Sequence, residues 1–302
     1  MKKRIQFLTG IMSYMLMGSM VAFGQVTIAQ DDASNYSNSD FVNDGNLGFG
    51  FSSWYSANSD GGYFRGDASN ARSNASILNT SGNSFGMWAN GGGYSDVGRN
   101  VQELNNTDTL SFQFSIQWDN GNKGFSLYTG GIGVNEVFNF NYNSTGYSWS
   151  GGGSQANTDW STPPGDRQNG VVLSFKLIQT ETGLDYTISA LAGDDGFGVK
   201  TGSITYSNGI NAIKFYVSDA GGGSGADLFF NNLKVSSPKA SVSLTGSEGW
   251  RMISSPVAGT MSDLLDPIWT QGISTGADVS TGDPNVFLWN NISTDQDYSA
   301  VS

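Results

Sequence analysis

The 302-residue chain contains neither cysteine nor histidine. Without cysteine it has no disulfide, the bond that many exported domains use to stabilise a small core. Without histidine it has no Ser-His-Asp triad, no Cys-His pair, no His-ligated zinc and no histidine general base. Only chemistry based on carboxylates, tyrosine, lysine or a bound metal remains open to it.

Positive charge is also scarce. The chain has 14 Lys and Arg against 26 Asp and Glu, which gives a formal net charge of −12. Proteins that bind nucleic acid or an anionic membrane surface do so through clustered Lys and Arg. The composition therefore argues against both kinds of partner.

The N-terminus has the layout of a secretory signal peptide. Residues 1–4 are basic, residues 5–23 are uncharged and largely apolar, and Ala22 and Gly24 are the small residues that an export peptidase reads. We expect cleavage before Gln25, which removes three basic residues and changes the net charge from −12 to −15. The alternative is a retained membrane anchor, but the apolar run is interrupted by polar residues and glycines, and a span needs about 20 apolar residues.

Glycine and aromatic residues are both abundant, with 42 Gly and 13% aromatics. Disordered low-complexity chains lack aromatic and β-branched residues. We therefore interpret the glycines as turn and loop residues between aromatic-rich strands.

Alternation of apolar and polar residues predicts the strands. It is clearest over 110–118, where every second residue from Leu110 to Trp118 is apolar, the period of a half-buried strand. Other predicted strands are 85–89, 124–129, 136–142, 171–179, 185–191, 202–207, 212–218 and 227–235. Roughly eight to twelve such strands with frequent turns indicate an all-β protein with an antiparallel β-sandwich.

Four segments follow from these patterns. Residues 1–24 are the signal helix, 25–40 a polar leader, 41–236 the sandwich and 237–302 a small β-rich unit. The last segment has few apolar runs, so we expect it to be an incomplete module or to dock on the sandwich.

Three segments of the predicted sandwich resemble the concanavalin A-like lectin/glucanase jelly rolls of secreted bacterial proteins. They are the Gly- and Phe-rich stretch 45–54, the strand 82–89 and the closing strand 226–235. The resemblance implies a jelly-roll sandwich, carbohydrate as the partner and, in many such folds, a structural calcium ion.

The C-terminal segment carries a second resemblance. The runs 249–256, 268–272 and 284–289 are similar to the module that precedes C-terminal sorting signals in proteins exported by type IX secretion. This implies a secreted or outer-surface protein that contacts the cell envelope or the secretion machinery.

Catalytic members of the glucanase family carry a Glu-x-Asp-x-x-Glu strand motif, which supplies the two carboxylates of a retaining glycosidase. Only four glutamates are present, Glu103, Glu136, Glu181 and Glu248, and none has a carboxylate two residues later. We therefore expect a non-catalytic protein, with a glycosidase-like enzyme as the minor alternative.

Loop aromatics are the candidate carbohydrate ligands, because sugar C–H faces stack on Trp and Tyr rings. The segment 147–160 is the strongest candidate, since it looks too glycine-rich for a strand and carries two tryptophans. The candidate ligand-binding residues are Trp54, Tyr55, Tyr94, Tyr147, Trp149 and Trp160. Trp118 and Trp88 are expected in the core instead. The alternative is that the loop rings cap the ends of the sandwich, in a structural or adhesive module without a small ligand.

The candidate calcium ligands are Asn43 and Asp44 near the start of the sandwich and Asp227 in its closing strand. Calcium prefers several carboxylate, amide and carbonyl oxygens, which glycine-rich loops supply easily. The alternative is that these are solvated turn residues.

Overall fold

The structure is a computed structural model that describes residues 25–156 and 169–238, and two strands between 287 and 300. The chain divides into two compact units, Met1–Lys239 and Ala240–Ser302. The predicted signal peptide, Trp160 and nearly all of the C-terminal segment lie outside the described residues. Among the residues described, no helix is long and apolar enough to cross a membrane.

The first unit is built from antiparallel strands. They are β1 (Gln25–Asp31), β2 (Tyr55–Gly66), β3 (Ser84–Asn100), β4 (Thr109–Ile116), β5 (Asn122–Tyr128), β6 (Glu136–Asn143), β7 (Gly146–Trp149), β8 (Gly153–Ala156), β9 (Val171–Thr180), β10 (Gly183–Ala192), β11 (Val199–Thr205), β12 (Ala212–Ser218) and β13 (Leu228–Pro238). The described helical segments are short 3₁₀ turns at Ala33–Asn35, Phe41–Asp44, Ala68–Asn70, Ser73–Leu78 and Ser224–Ala226.

These strands form one continuous curled sheet. Its order is β11-β10-β9-β4-β13-β3-β12-β5-β6-β7-β8, with β1 paired to β13 and β2 paired to β3. The long strand β3 makes the corner: Phe85 to Met87 pair with β13, and Tyr94 to Asn100 pair with β12. Between them, four residues of β3 (90–93) stand opposite the single residue Asp60 of β2, which is a large β-bulge.

The sheet folds onto itself as two layers around an aromatic core. A front layer contains residues 94–100 of β3 with β12, β5, β6, β7 and β8, and a back layer contains β1, β13, β4, β9, β10 and β11. Phe112 of β4 lies 4.8 Å from Phe125 of β5, and Phe175 of β9 lies 4.9 Å from Phe140 of β6, measured between ring centroids. Rings from opposite layers thus interdigitate, and the prediction of an antiparallel β-sandwich is confirmed.

A buried ion pair joins the first strand to the corner strand. Arg99 of β3 and Asp31 of β1 form a salt bridge with both side chains inaccessible to solvent. Arg99 also donates from Nε to the Ser52 carbonyl at 2.7 Å, and its guanidinium lies over the Trp54 ring, 4.9 Å from the ring centroid. Burial raises the pKa of Asp31, while hydrogen bonds from Tyr36 and the charge of Arg99 oppose that rise.

Aromatic side chains repeatedly lie across glycines on the neighbouring strand. In each case the two residues are directly opposite in the ladder, and a β-carbon on the glycine would overlap the ring. The pairs are Tyr216 with Gly124, Trp149 with Gly153, Tyr186 with Gly202, Phe64 with Gly86, and Trp88 with Gly62. The glycines of this chain are therefore strand residues as well as turn residues.

Several segments differ from the sequence-based expectations. Residues 25–31 of the predicted polar leader form β1, whose Asp31 and Ala29 are buried. The start of the segment 147–160, predicted as a loop, forms part of the hairpin β7–β8. Its glycine content is compatible with a strand because the Trp149 ring of β7 covers Gly153 of β8. Trp88, expected in the core, is 37% exposed because it points outward over Gly62, whereas Trp118 packs against the core as expected.

The described part of the second unit is a two-stranded antiparallel ladder, β14 (Phe287–Asn290) with β15 (Asp297–Ala300). Phe287 pairs with Ala300, and Asn290 pairs with Asp297.

Candidate functional site

The outward surface of the front layer is polar and forms the candidate site. We call it the polar face, and it consists of Tyr94, Asp96, Asn122, Ser126, Tyr128, Asn139, Asn141, Asn143, Lys214, Tyr216 and Ser218. Ser126 and Tyr128 are buried beneath their neighbours on this side of the sheet. These residues come from β3, β12, β5 and β6, and ladder partners among them are directly opposite one another. Their intervening neighbours, such as Val97, Phe125, Phe140 and Phe215, point into the core. Alternation alone thus places one polar set on one side of the layer.

Strand β6 presents a ladder of three asparagines. The Asn139 amide donates to Ser126 Oγ at 3.1 Å, and the Asn141 and Asn143 amides both donate to Asn122 Oδ1, at 3.3 and 3.2 Å. Because these side chains are held by neighbours on β5, they are oriented before any ligand arrives. Fixed amide groups of this kind are suited to hydrogen bonding with sugar hydroxyls.

Tyr216 lies flat at the centre of the polar face. Its ring crosses β5 over Gly124, and its hydroxyl lies 3.1 Å from the Phe140 carbonyl oxygen and 3.1 Å from Asn141 Oδ1, while the Asn139 amide donates to it at 3.1 Å. Burial raises the pKa of the Tyr216 hydroxyl, so it stays protonated at neutral pH. The hydroxyl end of the ring rests on the sheet over Gly124, and the side chain as a whole is half-buried.

The polar face carries one positively charged side chain, Lys214, and its charge is balanced by an ion pair with Asp96. Lys214 Nζ is 2.9 Å from Asp96 Oδ2, and each side chain is about one-fifth exposed. Burial lowers the pKa of Lys214, but the hydrogen bond and charge of Asp96 outweigh it, so the pKa is raised and the ammonium stays charged. Where β5 meets β6 on this face, the Tyr128 hydroxyl donates to Glu136 Oε2 at 3.4 Å.

Two of the predicted ligand-binding rings open onto this side of the sheet. Tyr94 of β3 is 42% exposed and stands opposite Ser218 of β12. Tyr55 of the edge strand β2 is 44% exposed and stands opposite Gly98. Both are available to stack on a ligand. Trp160 lies outside the described residues.

The other three predicted rings are in the core. Trp54 donates from Nε1 to the Tyr36 hydroxyl at 2.8 Å, Trp149 donates from Nε1 to the Tyr186 hydroxyl at 3.0 Å, and the Tyr147 hydroxyl donates to Asp194 at 2.9 Å. All three are buried and pack against other rings. A sugar cannot stack on a ring whose faces are covered, so these three rings are core side chains and not exposed loop aromatics.

The proposed calcium ligands are engaged with other groups. Asp44 Oδ2 accepts the Ser37 and Asn38 amides at 3.0 and 2.7 Å, and the Asn43 amide donates to Asp40. Asp227 is buried, and its electrostatic neighbour is the buried Lys123. Within the described ranges no group of three or more acidic, His or Cys side chains is arranged to hold a metal ion. The donor set therefore fits a cation poorly.

The asparagine ladder and Tyr216 were missed in the sequence. The sequence patterns pointed to aromatic residues in loops, whereas these residues are the polar half of two strands that are predicted from their apolar half. The usable signal is the composition of that polar half: three successive outward positions of β6 are asparagine, and those of β12 are Lys214, Tyr216 and Ser218.

Comparison with known proteins gives structural similarities only at low identity. No protein-family model matches the sequence, and no curated protein does. A galectin of Caenorhabditis elegans is 16% identical, with 46% of this chain and 88% of the galectin covered and a TM-score of 0.28. A family 11 carbohydrate-binding module of Clostridium thermocellum, solved with a β-1,3-1,4-mixed-linked tetrasaccharide, is 12% identical over 71% of this chain and 96% of the module, with a TM-score of 0.30. The metal-free lectin I-B4 of Griffonia simplicifolia is 10% identical over 61% and 93%, with a TM-score of 0.35.

Proposed function

We propose that this protein binds carbohydrate, without catalysis, on the polar face of its front layer. The observation that carries the proposal is the Tyr216 ring held flat over Gly124 beside the asparagine ladder of β6. An apolar ring offers a surface for sugar C–H groups, and the flanking amides offer donors and acceptors for hydroxyls.

The proposal moves the site from the loops to the sheet. Tyr94 lies on the same outward surface, opposite Ser218, which is two residues from Tyr216 on β12. The face therefore offers two rings, one exposed and one resting on the sheet. Tyr55, four residues from the partner of Tyr94 on β2, extends the aromatic surface toward the sheet edge.

Catalysis is not part of the proposal. The two acidic side chains at this surface already have partners, since Asp96 pairs with Lys214 and Glu136 accepts from Tyr128. The glucanase strand motif is absent from the sequence.

Affinity electrophoresis through gels that contain single polysaccharides tests the function. We expect at least one polysaccharide to retard the protein and Tyr216→Ala to abolish most of the retardation. Truncation of a central aromatic typically costs about 2 kcal/mol or more, which is over about tenfold in Kd. Asn141→Ala should also weaken binding, since it removes a hydrogen-bonding group while leaving the ring.

The matched control is Trp88→Ala. Trp88 lies on the same strand as Tyr94 and is similarly exposed, but it stands before the bulge, over Gly62. It should leave retardation unchanged. If no polysaccharide retards the protein, the structural or adhesive alternative is favoured; if Trp88→Ala and Tyr216→Ala behave alike, the site is misplaced.

We also propose secretion to the outer surface, with contact to a type IX export system, on the strength of the N-terminal and C-terminal sequence patterns. Fractionation of cells should find the protein outside the cytoplasm with Gln25 as its first residue. An uncleaved cytoplasmic protein would contradict it.

Structural calcium remains a proposal from the sequence alone. A ligand of the native state raises the melting temperature, so a chelator should lower it if calcium is bound. A melting temperature that the chelator leaves unchanged would contradict the binding of a structural calcium ion.

A further inference from the structure

The charges around the polar face indicate which carbohydrates it accepts. We propose that the face selects uncharged glycans and rejects acidic ones, an inference that rests on the proposed function. Recognition of carboxylate or sulfate groups needs a free cation, preferably the guanidinium fork of arginine. Recognition of hydroxyls needs neutral donors and acceptors instead.

The polar face supplies no free cation. Its lysine, Lys214, donates from Nζ to Asp96 Oδ2 at 2.9 Å. A glycan carboxylate would have to displace Asp96, which would leave that side chain unpaired on the same surface. Asp96 thus already occupies the position next to the Lys214 ammonium that a glycan carboxylate would need.

Arginines are absent from this surface. Of those in the described ranges, Arg99 points into the core and is buried with Asp31. Arg65 and Arg72 lie on the back-layer side of the corner: Arg65 stands opposite Phe85, before the bulge, and Arg72 contacts Trp118. None of these three projects from the front layer, so none is placed to make the bidentate contact typical of acidic sugars there.

The surroundings are negative. Glu136 stands at one side of the polar face against Tyr128. At the other side, Asp219 accepts the Gly92 amide at 2.7 Å, and Asp60 accepts the Asn90 amide at 2.9 Å, so both carboxylates border the bulge next to Tyr94. With a chain charge of −12, these carboxylates repel a polyanion at low ionic strength.

What remains on the face is neutral and able both to donate and to accept. Asn122, Asn139, Asn141 and Asn143, with Ser126 and Ser218, surround the Tyr216 ring. Amides and hydroxyls in this arrangement match the hydroxyls of a neutral sugar, each of which is donor and acceptor at once.

Affinity electrophoresis with the full chain and two sets of polysaccharides tests this inference. The neutral set is mixed-linkage β-glucan, xyloglucan and galactomannan; the acidic set is polygalacturonate, alginate and carrageenan. We expect retardation only by members of the neutral set, with a Kd that changes less than about twofold between low and high salt, because screening does not affect an uncharged ligand. Tyr216→Ala should remove it.

The variant Asp96→Asn provides the sharper comparison. It frees the Lys214 ammonium, so polygalacturonate should begin to retard the protein at low salt, and added salt should abolish that gain. The double variant Asp96→Asn with Lys214→Gln keeps the face neutral and should not acquire acidic binding.

The outcomes separate the two proposals. Retardation of the wild type by acidic polysaccharides that Tyr216→Ala removes would uphold the carbohydrate site and overturn the charge selection. Asp96→Asn without any gain toward polygalacturonate would also overturn it. Retardation by neither set would overturn the carbohydrate function itself, and this inference with it.

Discussion

At the scale of single residues, the buried pair of Arg99 and Asp31 joins the N-terminal strand β1 to the corner strand β3. Arg99 is bound on several sides, by Asp31, the Ser52 carbonyl and the Trp54 ring. The guanidinium therefore fixes β1 and the loop before β2 to the corner strand. A buried charge that loses its partner cannot be rehydrated without opening the fold.

Asp31→Ala should destabilise the protein strongly. Leaving the Arg99 guanidinium buried and unpaired costs about 3–5 kcal/mol. Urea unfolding followed by fluorescence would measure the loss. Glu181→Ala, which removes an exposed turn carboxylate, should change the free energy of unfolding by less than about 0.5 kcal/mol. Equal effects of the two substitutions would contradict the role of the pair.

Two buried charged side chains, Asp227 and Lys123, give the protein a specific pH dependence. Burial raises the pKa of Asp227 from 3.8 to about 7 and lowers the pKa of Lys123 from 10.5 to about 8, against the opposing charges of each other and of Asp119. The stability that Asp227 contributes is complete below its unfolded pKa and is lost as the pH rises through about 7. The contribution of Lys123 is complete above its unfolded pKa and is lost as the pH falls through about 8.

Asp227→Asn isolates the acidic part of this dependence, because an amide does not titrate. The melting temperature of the wild type relative to this variant should fall between about pH 4 and pH 7 and stay constant above about pH 7. The exposed carboxylate of Asp195 provides the control substitution, Asp195→Asn. A constant difference across the whole range would show that Asp227 is not perturbed by burial.

At the scale of elements, the ring-over-glycine arrangement links strand packing to the polar face. Gly124 of β5 leaves the space in which the Tyr216 ring lies, and the Phe140 carbonyl closes the same space from β6. The shape of the candidate site thus depends on a residue that contributes no side chain to it.

Gly124→Ala should therefore impair both stability and binding. The added methyl group overlaps the Phe140 carbonyl and the Tyr216 hydroxyl, and such overpacking costs about 1–3 kcal/mol. Retardation by polysaccharide should fall as the ring is lifted from the sheet. Gly66→Ala is the control in strand β2, because its β-carbon would meet only the Phe64 ring at 3.5 Å. A variant at 124 that melts and binds like the wild type would refute the arrangement.

The strands that sequence reasoning found and missed differ in one physical respect. Strands such as β4, β6 and β12 alternate because one side is packed with Leu, Ile and Phe, and the period is visible in the sequence. Strands β2 and β8 contain glycines covered by rings from neighbouring strands, Trp88 over Gly62 and Trp149 over Gly153, so this burial comes from another strand and leaves no period of their own. The burial of Trp54 and Trp149 was missed for a related reason, since both look like loop residues until their covering partners are known.

At the scale of the whole molecule, the last strand of the sandwich is also one of its most central. β13 pairs with β4 on one side and with β3 and β1 on the other. Its apolar residues Leu228, Phe230, Leu233 and Val235 are fully buried. Fully burying such side chains contributes about 1.5–3 kcal/mol each, which together matches the total stability of a typical domain, about 5–15 kcal/mol.

Two truncated chains test this. Residues 25–238 should unfold in one cooperative thermal transition, because they contain every strand that the structure describes in the first unit. Residues 25–226 lack β13, which leaves β1 unpaired and the edges of β3 and β4 open, and they should show no cooperative transition by circular dichroism. A cooperative transition in the shorter chain would mean that the sandwich is complete without its last strand.

The pairing of rings with glycines has a consequence for how this sequence can vary. Each of the five glycines tolerates no side chain while its aromatic partner lies across it, and each ring loses its support once the glycine is replaced. Substitutions at the two positions of a pair should therefore occur together where the ring is the only obstacle, with a larger residue at 153 accompanied by a small one at 149, and likewise for 202 with 186. Gly124 should stay glycine whatever stands at 216, because the Phe140 carbonyl also blocks a side chain there. Relatives that have lost one of these ring–glycine pairs should be recognisable from the two positions of that pair alone, before any of their structures is known.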